Sequence, residues 1–268
     1  MNTILQKKKL AENIYLMQIK SHVVAKNVKP GQFIMLQIDE EGERIPLSIA
    51  DYDANSITVV FSVVGKTTQE LAKLKKGNSI LHFTGPLGHP TEIREFGKVC
   101  LIGGGFGLAP LYPIAKALKK AGNEVTIIVG VRNKKLLFWE DKLKKVSKEL
   151  IITTDDGSKG IKGFVTDALV CVMKLNKLDY VFAVGPPIMM QNVAKLTNHK
   201  VRTVVSLNTI MLDGTGMCGS CRVRVAGEVK FACVDGPDFN AHAIDWKSVM
   251  NRNKRYEEEE KHACRCGK

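Results

Sequence analysis

A long uncharged hydrophobic run is missing from all 268 residues of the sequence. A helix that crosses a membrane needs roughly 20 predominantly apolar residues, so the sequence predicts no membrane span. The N-terminal stretch MNTILQKKKL becomes charged too early to provide the apolar part of a secretory signal peptide. We therefore expect a cytoplasmic protein.

The sequence also lacks the paired cysteines of a disulfide framework. Its seven cysteines are an odd number and are grouped toward the C-terminus, unlike those of small secreted domains. Cys100 and Cys171 lie within apolar runs and are interpreted as core residues. Only the grouped cysteines need a chemical explanation.

Aromatic residues are few, at 6%, and the 27 acidic residues are outnumbered by 40 basic ones, which gives a net charge of +13. A nucleic-acid-binding surface would gather its lysines on one segment together with aromatic side chains. Here the lysines are spread along the chain, and groups such as Lys73–Lys76 and Lys142–Lys145 are typical of solvated helix faces. We therefore predict no nucleic-acid partner and expect the basic surface to favour encounters with an acidic protein.

The length allows two compact domains and a small appendage. In residues 1–95, short apolar runs alternate with turn signals such as Pro30-Gly31 and Gly85-Pro86, a spacing typical of an antiparallel β-barrel or sandwich. One helix, Thr68–Leu74, interrupts the pattern. The predicted strands are Ile14–Ile19, Phe33–Ile38, Ser56–Val64 and Ile80–Thr84.

Strands and helices alternate over residues 96–207, which predicts a doubly wound parallel sheet. Residues 208–268 then form a smaller C-terminal subdomain. The predicted strands of the sheet are Val99–Ile102, Val125–Val129, Leu150–Thr154, Tyr180–Val184 and Val201–Leu207, with helices ending at Lys119, around Leu136–Lys145 and near Val165–Met173.

A glycine-rich loop follows the first strand of this sheet and opens a helix. Small residues let an anion approach the backbone and the helix N-terminus attracts it, so the loop predicts a phosphate site. Two further loops fall at the carboxyl ends of strands, where an open α/β sheet collects its ligand. The three loops contribute Gly103, Gly104, Gly105, Gly107, Leu108, Ala109 and Pro110, then Asp155 and Asp156, then Gly185, Pro186 and Pro187.

A second glycine precedes a helix within the first domain. The stretch that begins at Phe61 contains Ser62, Gly65, Thr67 and Thr68, and free N–H groups at the start of the helix can hold phosphate. A plain turn with a threonine N-cap explains the same residues. The residues alone leave both interpretations open.

Near the C-terminus, Cys218, Cys221 and Cys233 provide three soft thiolate ligands. Interleaved glycines allow the backbone to wrap tightly around a compact inorganic centre. A plant-type [2Fe-2S] loop has the spacing Cys-x4-Cys-x2-Cys followed by a distant Cys, and Asp213 holds the position of the first ligand. We predict an iron–sulfur loop with one carboxylate ligand.

Two other interpretations of these cysteines remain. A Cys-x2-Cys pair suits a structural zinc site, and ordinary buried thiols are the third possibility. Zinc sites usually pair two such units or add a histidine, and no second unit lies nearby. The terminal Cys264 and Cys266 have two interpretations, contact with a metal or a partner subunit and a flexible reduced tail, of which the second is favoured.

With barrel, nucleotide domain and cluster loop in that order, residues 1–250 resemble the electron-transfer subunits of the ferredoxin-reductase superfamily. Two families in it are most similar: the FAD and iron–sulfur subunit of class 1B dihydroorotate dehydrogenase, and the small subunit of NADH-dependent reduced ferredoxin:NADP oxidoreductase. The first normally has four cysteines, whereas the second uses an aspartate as the first cluster ligand, as Asp213 would here. The resemblance to the second family is therefore the stronger one.

The resemblance implies FAD, NAD(H) and a [2Fe-2S] cluster as cofactors and assigns residues to them. Arg44 is the weakest assignment, because the phosphate-binding arginine of the superfamily aligns one place away, on Ile45. Flavin contacts fall on Pro46, Leu47 and Ser48, the FAD diphosphate on Gly65 to Thr68, NAD on Gly103 to Pro110, and the nicotinamide approach on Gly185 to Met190.

The implied function is electron transfer between NAD(H), FAD and the cluster in an electron-bifurcating NADH-dependent ferredoxin:NADP oxidoreductase, with no general acid or base. The implied partners are a larger iron–sulfur flavoprotein subunit that binds NADP(H) and, through the complex, ferredoxin. The alternatives are the electron-transfer subunit of NAD-dependent dihydroorotate dehydrogenase, a stand-alone NADH:acceptor reductase, and a non-enzymatic zinc-binding module. Arg132 and Lys134 suit either a 2′-phosphate or solvated surface charges, and the resemblance favours NAD.

Overall fold

Seven antiparallel strands form the N-terminal domain: β1 (Asn2–Ala11), β2 (Ile14–Lys20), β3 (Phe33–Gln37), β4 (Ile45–Tyr52), β5 (Ser56–Ser62), β6 (Ser79–Ile80) and β7 (His82–Leu87). The structure is a computed structural model that describes residues 2–256, 258–259 and 262. The strand order is β6-β1-β2-β5-β4-β3-β7. Because only Leu81 separates β6 from β7, the two outer strands of the sheet meet and the barrel is nearly closed, which confirms the predicted architecture.

The alternation of side chains along these strands fills the barrel. Met17 and Ile19 of β2 and Ile57 and Val59 of β5 are fully buried and belong to one hydrophobic core. Two helices accompany the strands, α1 (His22–Asn27) and α2 (Lys66–Lys73).

Strand β1 was not predicted, because its run of lysines hides the alternation. The Nζ of Lys7 donates hydrogen bonds to the carbonyl oxygens of Ala72 (2.5 Å) and Leu74 (2.8 Å). A cation is favourable at this C-terminal end of α2. The lysine that obscures the strand in the sequence therefore has a defined structural contact.

The second domain contains one sheet, whose strands are β8 (Lys98–Gly104), β9 (Glu124–Val131), β10 (Glu149–Thr154), β11 (Ile161–Lys162), β12 (Tyr180–Val184), β13 (Arg202–Ser206) and β16 (Asp238–Asn240). The first six are parallel, in the order β11-β10-β9-β8-β12-β13, and the antiparallel strand β16 pairs with β13. Its helices are α3 (Leu108–Lys120), α4 (Glu140–Val146), α5 (Val165–Leu175) and α6 (Pro187–Thr197). The doubly wound sheet is confirmed. Its carboxyl-end loops meet at one edge, as expected for parallel strands.

The C-terminal region consists of the hairpin β14 (Arg222–Val225) and β15 (Glu228–Phe231), strand β16 and helix α7 (Trp246–Asn253). Helix α7 begins after Asp245, which caps it by accepting a hydrogen bond from the Ser248 N–H at 3.0 Å. The Cys264 and Cys266 tail lies outside the described residues.

One hydrophobic core joins this region to both domains. It contains Phe33 and Met35 of the barrel, Ile102 and Val205 of the sheet, and the buried Cys221. Among the described residues, no helix is long and apolar enough to cross a membrane.

Candidate functional site

Two cavities lie between the barrel and the carboxyl-end edge of the sheet. The barrel-side cavity has a volume of about 320 Å³, and the sheet-side cavity one of about 820 Å³. Both are lined by Ser62, Val64, Pro186 and the loop 104–106, so they adjoin one another. Two ligands bound there would be neighbours.

Strands β4 and β5 supply the barrel wall of the barrel-side cavity. Pro46, Leu47 and Ser48 line it from β4, and Phe61 and Ser62 from β5. This combination of apolar surfaces with a few hydroxyl groups fits a flat heterocycle with polar edges. The structure thus brings together these five residues of the predicted flavin site.

Thr68 also lines the barrel-side cavity, beside the start of α2. Its Oγ1 accepts hydrogen bonds from the N–H groups of Val64 and Gly65, both at 3.0 Å, and donates to the Gly65 carbonyl at 2.9 Å. These bonds fix the turn, but the N-cap of α2 is Gly65 and Thr68 is the third residue of the helix, so the predicted threonine N-cap is wrong. The turn also places the helix N-terminus at the cavity, where a phosphate would be favoured.

Two predicted residues of this site lie elsewhere. Arg44 is exposed and lines neither cavity; its Nε donates to Oε1 of Gln37 at 3.3 Å. Thr67 is buried, and its Oγ1 donates to Oε2 of Glu43 at 3.0 Å. The structure therefore does not bring their side chains to the cavity.

The glycine-rich loop after β8 packs closely against the loop after β12. A Cβ atom on Gly107 would lie 2.4 Å from the Val184 carbonyl oxygen, and one on Gly104 would lie 2.5 Å from the Met189 sulfur. Gly105 has a φ of +60°, and a Cβ there would meet nothing within 4 Å. The loop thus packs tightly at Gly104 and Gly107 and leaves its backbone open at Gly105. A loop that binds the phosphates of a nucleotide requires this combination.

The remaining predicted residues of the loops divide between cavity and core. Pro110 and Pro187 line the barrel-side cavity with Gly185 and Pro186. Leu108, Ala109 and Met190 are buried instead, and Gly103 packs against Leu111. Met189 is the methionine of this segment that lines the sheet-side cavity.

Asp155 and Asp156 point to different surroundings. Asp155 lines the sheet-side cavity. Asp156 lines neither cavity; its side chain accepts a hydrogen bond from the Ser158 N–H at 2.9 Å. Hydrogen bonds from Ser158 and the charge of Lys134 lower the pKa of Asp156. Only the first of the two aspartates is placed to meet a ligand.

Phe106 lies within the predicted loop, but it was not singled out from the sequence as a site residue. It is 47% exposed and lines both cavities where they adjoin. The prediction drew on the glycines on either side of it. A bulky aromatic residue within a glycine-rich loop could itself have indicated a ligand contact. Arg132 and Asn133 also line the sheet-side cavity, whereas Lys134 does not.

The cluster loop begins two residues after Met211, which lines the barrel-side cavity. In this loop, the Asp213 carboxylate accepts hydrogen bonds from the N–H groups of Thr215 (2.9 Å) and Cys218 (2.7 Å). Burial opposes ionisation, but these bonds outweigh it and lower the pKa of Asp213. Cys218 is exposed, so one thiol and one carboxylate lie together at the surface of the loop.

The other two cysteines lie beneath the loop. Cys221 and Cys233 are buried, are not joined by a disulfide, and have their sulfur atoms 3.2 Å apart. Burial, followed by the neighbouring Cys221 thiol, raises the pKa of Cys233 to about 12. A metal would have to displace that proton, as thiolate ligation always requires.

The loop carries the kinds of donor that an iron–sulfur cluster needs. Within the described residues, no group of three or more His, Cys, Asp or Glu side chains converges on one ion position. Gly214, Gly216 and Gly219 have φ angles of +76°, +85° and +65°, and the backbone turns around the thiols through them. Three soft donors and one hard donor spread along such a loop suit a two-iron centre.

Comparison with known proteins agrees with this geometry. Residues 208–245 match the iron–sulfur cluster binding domain of dihydroorotate dehydrogenase B, and residues 101–195 match the oxidoreductase NAD-binding domain. A Thermotoga maritima protein, the dihydroorotate dehydrogenase B (NAD(+)) electron transfer subunit homolog, is 48% identical over 97% of this chain and 93% of its own length. The chain belongs to the dihydroorotate dehydrogenase B electron-transfer subunit family.

Three further proteins are similar to this chain. The electron transfer subunit from Clostridium acetobutylicum is 38% identical over 86% of this chain and 91% of its own length. A chain in the structure of an NADH-dependent reduced ferredoxin-NADP oxidoreductase, studied for flavin-based electron bifurcation, has 47% identity and a TM-score of 0.94 over 99% of this chain and 97% of that one. The ferredoxin-NADP+ reductase of Plasmodium falciparum shares the fold, with a TM-score of 0.62 at 16% identity.

Family membership establishes the general chemistry. This electron-transfer subunit is an oxidoreductase, and its cofactors are NAD(H), FAD and a [2Fe-2S] cluster. The iron–sulfur domain also overturns the zinc-module alternative. As an electron-transfer subunit, the chain is one component of a complex.

Proposed function

We propose that the chain is the subunit of an electron-bifurcating NADH-dependent reduced ferredoxin:NADP oxidoreductase that exchanges electrons with NAD(H). The observation that carries the proposal is the order of three adjoining sites. The sheet-side cavity shares residues with the barrel-side cavity, and Met211 of the barrel-side cavity is two residues from Asp213 of the cluster loop. Bound in that order, NAD(H) and FAD would supply two-electron hydride chemistry, and the cluster would supply single-electron transfer.

The sheet-side cavity would hold the nicotinamide nucleotide. The open backbone at Gly105 and the start of α3 would receive its diphosphate. Asp155, Arg132 and Asn133 line the cavity farther along the sheet edge. Pro186 and Phe106 would guide the nicotinamide toward the barrel-side cavity, because both line the boundary between the cavities.

The barrel-side cavity would hold FAD. Ser48 and Ser62 would bond the polar edge of the ring, and Phe61 and Leu47 would exclude water from its faces. Gly65 and Thr68 would form the diphosphate seat. Thr67 would stabilise the start of α2 through its hydrogen bond to Glu43 and would not contact the diphosphate with its side chain.

Asp213, Cys218, Cys221 and Cys233 would ligate the cluster. The N–H groups that already bond Asp213 would hold its carboxylate in position, because a carboxylate can accept these bonds and still offer lone pairs to iron. Gly214 packs between Met35 and Leu87, where a Cβ would approach them to 2.7 and 2.9 Å. The loop is therefore seated directly on the barrel.

For the partner, we propose a larger iron–sulfur flavoprotein subunit that binds NADP(H) and delivers electrons to ferredoxin. The supporting observation is the 47% identical chain from the ferredoxin-NADP oxidoreductase structure, which matches almost end to end. A second candidate is electron transfer to a dihydroorotate dehydrogenase subunit, which is favoured by the names of several relatives. The aspartate at position 213 favours the first candidate.

Anaerobic purification of the untagged protein from its own host tests the proposal. We expect FAD and two irons per chain, and a co-purifying subunit that binds NADP(H). An FMN-containing dihydroorotate-oxidising partner would support the second candidate instead. Recovery of the chain without flavin or iron would refute both.

A further inference from the structure

Three arginines gather beside the cluster loop. Arg222 follows the proposed ligand Cys221 directly, Arg252 lies in the last turn of α7, and Arg255 lies in the turn after it. All three line one narrow cleft of about 10 Å³, together with the buried Thr209 and with Ser220 of the cluster loop. None of these arginines was part of the predicted site.

Two of the guanidinium groups are bonded to the backbone of the loop. Nη2 of Arg252 donates to the carbonyl oxygen of Ser220 at 2.8 Å, across 32 positions of sequence. Nη1 of Arg222 donates to the carbonyl oxygen of Gly219 at 3.1 Å. Gly219 and Ser220 are the two residues between Cys218 and Cys221, so both positive charges are held against the ligand-bearing segment.

No carboxylate neutralises these charges within the described part of the chain. The ion pairs there involve other cations, and none includes Arg222, Arg252 or Arg255. Burial, then the charges of Arg222 and Arg255, lower the pKa of Arg252, yet a guanidinium remains protonated at any physiological pH. The segment that carries two proposed cluster ligands therefore lies beside guanidinium charges that form no ion pair among the described residues.

We propose that Arg252, with Arg222 and Arg255, is a positioning residue that raises the reduction potential of the [2Fe-2S] cluster. This inference rests on the proposed function, because it requires a cluster in this loop. Reduction adds one negative charge to the cluster, and nearby positive charge stabilises the reduced form more than the oxidised form. The subunit thereby makes its cluster a better acceptor for electrons that arrive from the barrel-side cavity.

A purely structural role for Arg252 is the competing explanation. Its bond to Ser220 also ties α7 to the cluster loop, and loss of that bond alone would loosen the loop. Two substitutions that differ in whether they keep the positive charge distinguish the electrostatic role from the structural one. Arg252→Lys keeps the positive charge but cannot reproduce the planar guanidinium geometry, whereas Arg252→Gln keeps a hydrogen-bond donor but removes the charge.

The test is a redox titration of the cluster, followed by electron paramagnetic resonance, in the anaerobically purified complex. We expect Arg252→Gln to lower the ratio of reduced to oxidised cluster roughly threefold to tenfold at a fixed solution potential, which is a shift of about 30 to 60 mV for a one-electron couple. Arg252→Lys should stay close to wild type. The shift should shrink at high salt, because the arginines are partly exposed.

Lys247→Gln is the matched control. Lys247 lies in the first turn of the same helix, is exposed and does not line the cleft, so its loss should leave the potential nearly unchanged. An unchanged potential in Arg252→Gln, or equal shifts in Arg252→Gln and Lys247→Gln, would overturn the inference. Wild-type protein without iron would instead refute the proposed function, so the two failures are distinguishable.

Discussion

At the scale of single residues, Asp213 is the proposed ligand whose chemistry differs most from the others. Its carboxylate already accepts two backbone hydrogen bonds, and an oxygen ligand donates less charge to iron than a thiolate does. We expect Asp213→Cys to retain iron and to shift both the visible and the paramagnetic resonance spectra of the cluster.

Asp235 provides the control for that substitution. It lies near the same loop and accepts a hydrogen bond from the Phe231 N–H at 2.6 Å, but it is not a proposed ligand. Asp235→Asn should leave the spectra unchanged. If Asp213→Cys also left them unchanged, Asp213 would be removed from the set of ligands.

Asp238 is a buried carboxyl that the proposed electron transfer does not use. Oδ2 accepts a hydrogen bond from the Thr91 hydroxyl at 2.6 Å, while Oδ1 has no hydrogen-bond partner within the described residues. Burial raises the pKa of Asp238 to about 6. The unfolded chain therefore loses this proton at lower pH than the folded one, and the carboxyl costs stability as the pH rises from about 4 to about 6.

We expect Asp238→Asn to remove this pH dependence. The free energy of unfolding of wild type, relative to the variant, should fall by about 2 kcal/mol between about pH 4.5 and pH 7.5 and change little above that. Chemical denaturation at several pH values measures it. The comparison with the variant cancels the titration of all other groups, so a parallel pH profile of the two proteins would contradict a raised pKa.

At the scale of elements, the packing of the loop after β8 against the loop after β12 depends on Gly107. A Cβ there would lie 2.4 Å from the Val184 carbonyl oxygen, and backbone cannot move aside as a side chain can. Gly107→Ala should cost about 1–3 kcal/mol of stability. It should weaken NADH binding roughly tenfold, because the loop lines the sheet-side cavity through Gly104, Gly105 and Phe106. It should also lower the FAD content, because Gly107 itself lines the barrel-side cavity.

The control for this element is Gly42→Ala. The nearest atom to a Cβ at Gly42 is Oδ1 of the Asp39 side chain, at 3.1 Å, which can rotate away. Fluorescence titration with NADH and the measured flavin content compare the two variants. Equal NADH affinity in Gly107→Ala and wild type would show that this loop does not form the nucleotide site.

Strands and helices with a clear pattern of apolar residues were predictable from the sequence, and those whose residues also suggested another role were not. Strands β8, β9 and β12 are short apolar runs followed by glycine or charge, so their pattern identified them. Helix α6 begins at Pro187, directly after a loop that was interpreted only as a ligand contact, and was missed. Arg44 and Thr67 were assigned by resemblance, but their orientation depends on Gln37 and Glu43, which no local pattern indicates.

At the scale of the whole molecule, the two cavities exist only because the barrel and the sheet are held together. Lys142 of α4 forms an ion pair with Asp51 of β4 at 2.8 Å. Its Nζ also lies 4.6 Å from the centre of the Tyr112 ring and 4.4 Å from that of Trp139. Asp51 is on the same strand as Ser48, so this contact fixes the wall of the barrel-side cavity relative to the sheet.

Lys142→Met should therefore impair transfer between the domains more than binding within either. Met keeps the apolar stem but loses the ion pair and both cation–π contacts, which together contribute about 1 kcal/mol for a partly exposed lysine. We expect the melting temperature to fall by about 2–4 °C. The rate of flavin reduction by NADH, followed by stopped-flow absorbance, should fall severalfold with flavin content unchanged.

The control is Lys148→Met, which removes an ion pair of similar length, 2.9 Å to Glu124, that lies entirely within the sheet domain. If both variants reduced flavin equally fast, the contact between α4 and β4 would be a stabilising surface feature with no part in aligning the two cofactor sites.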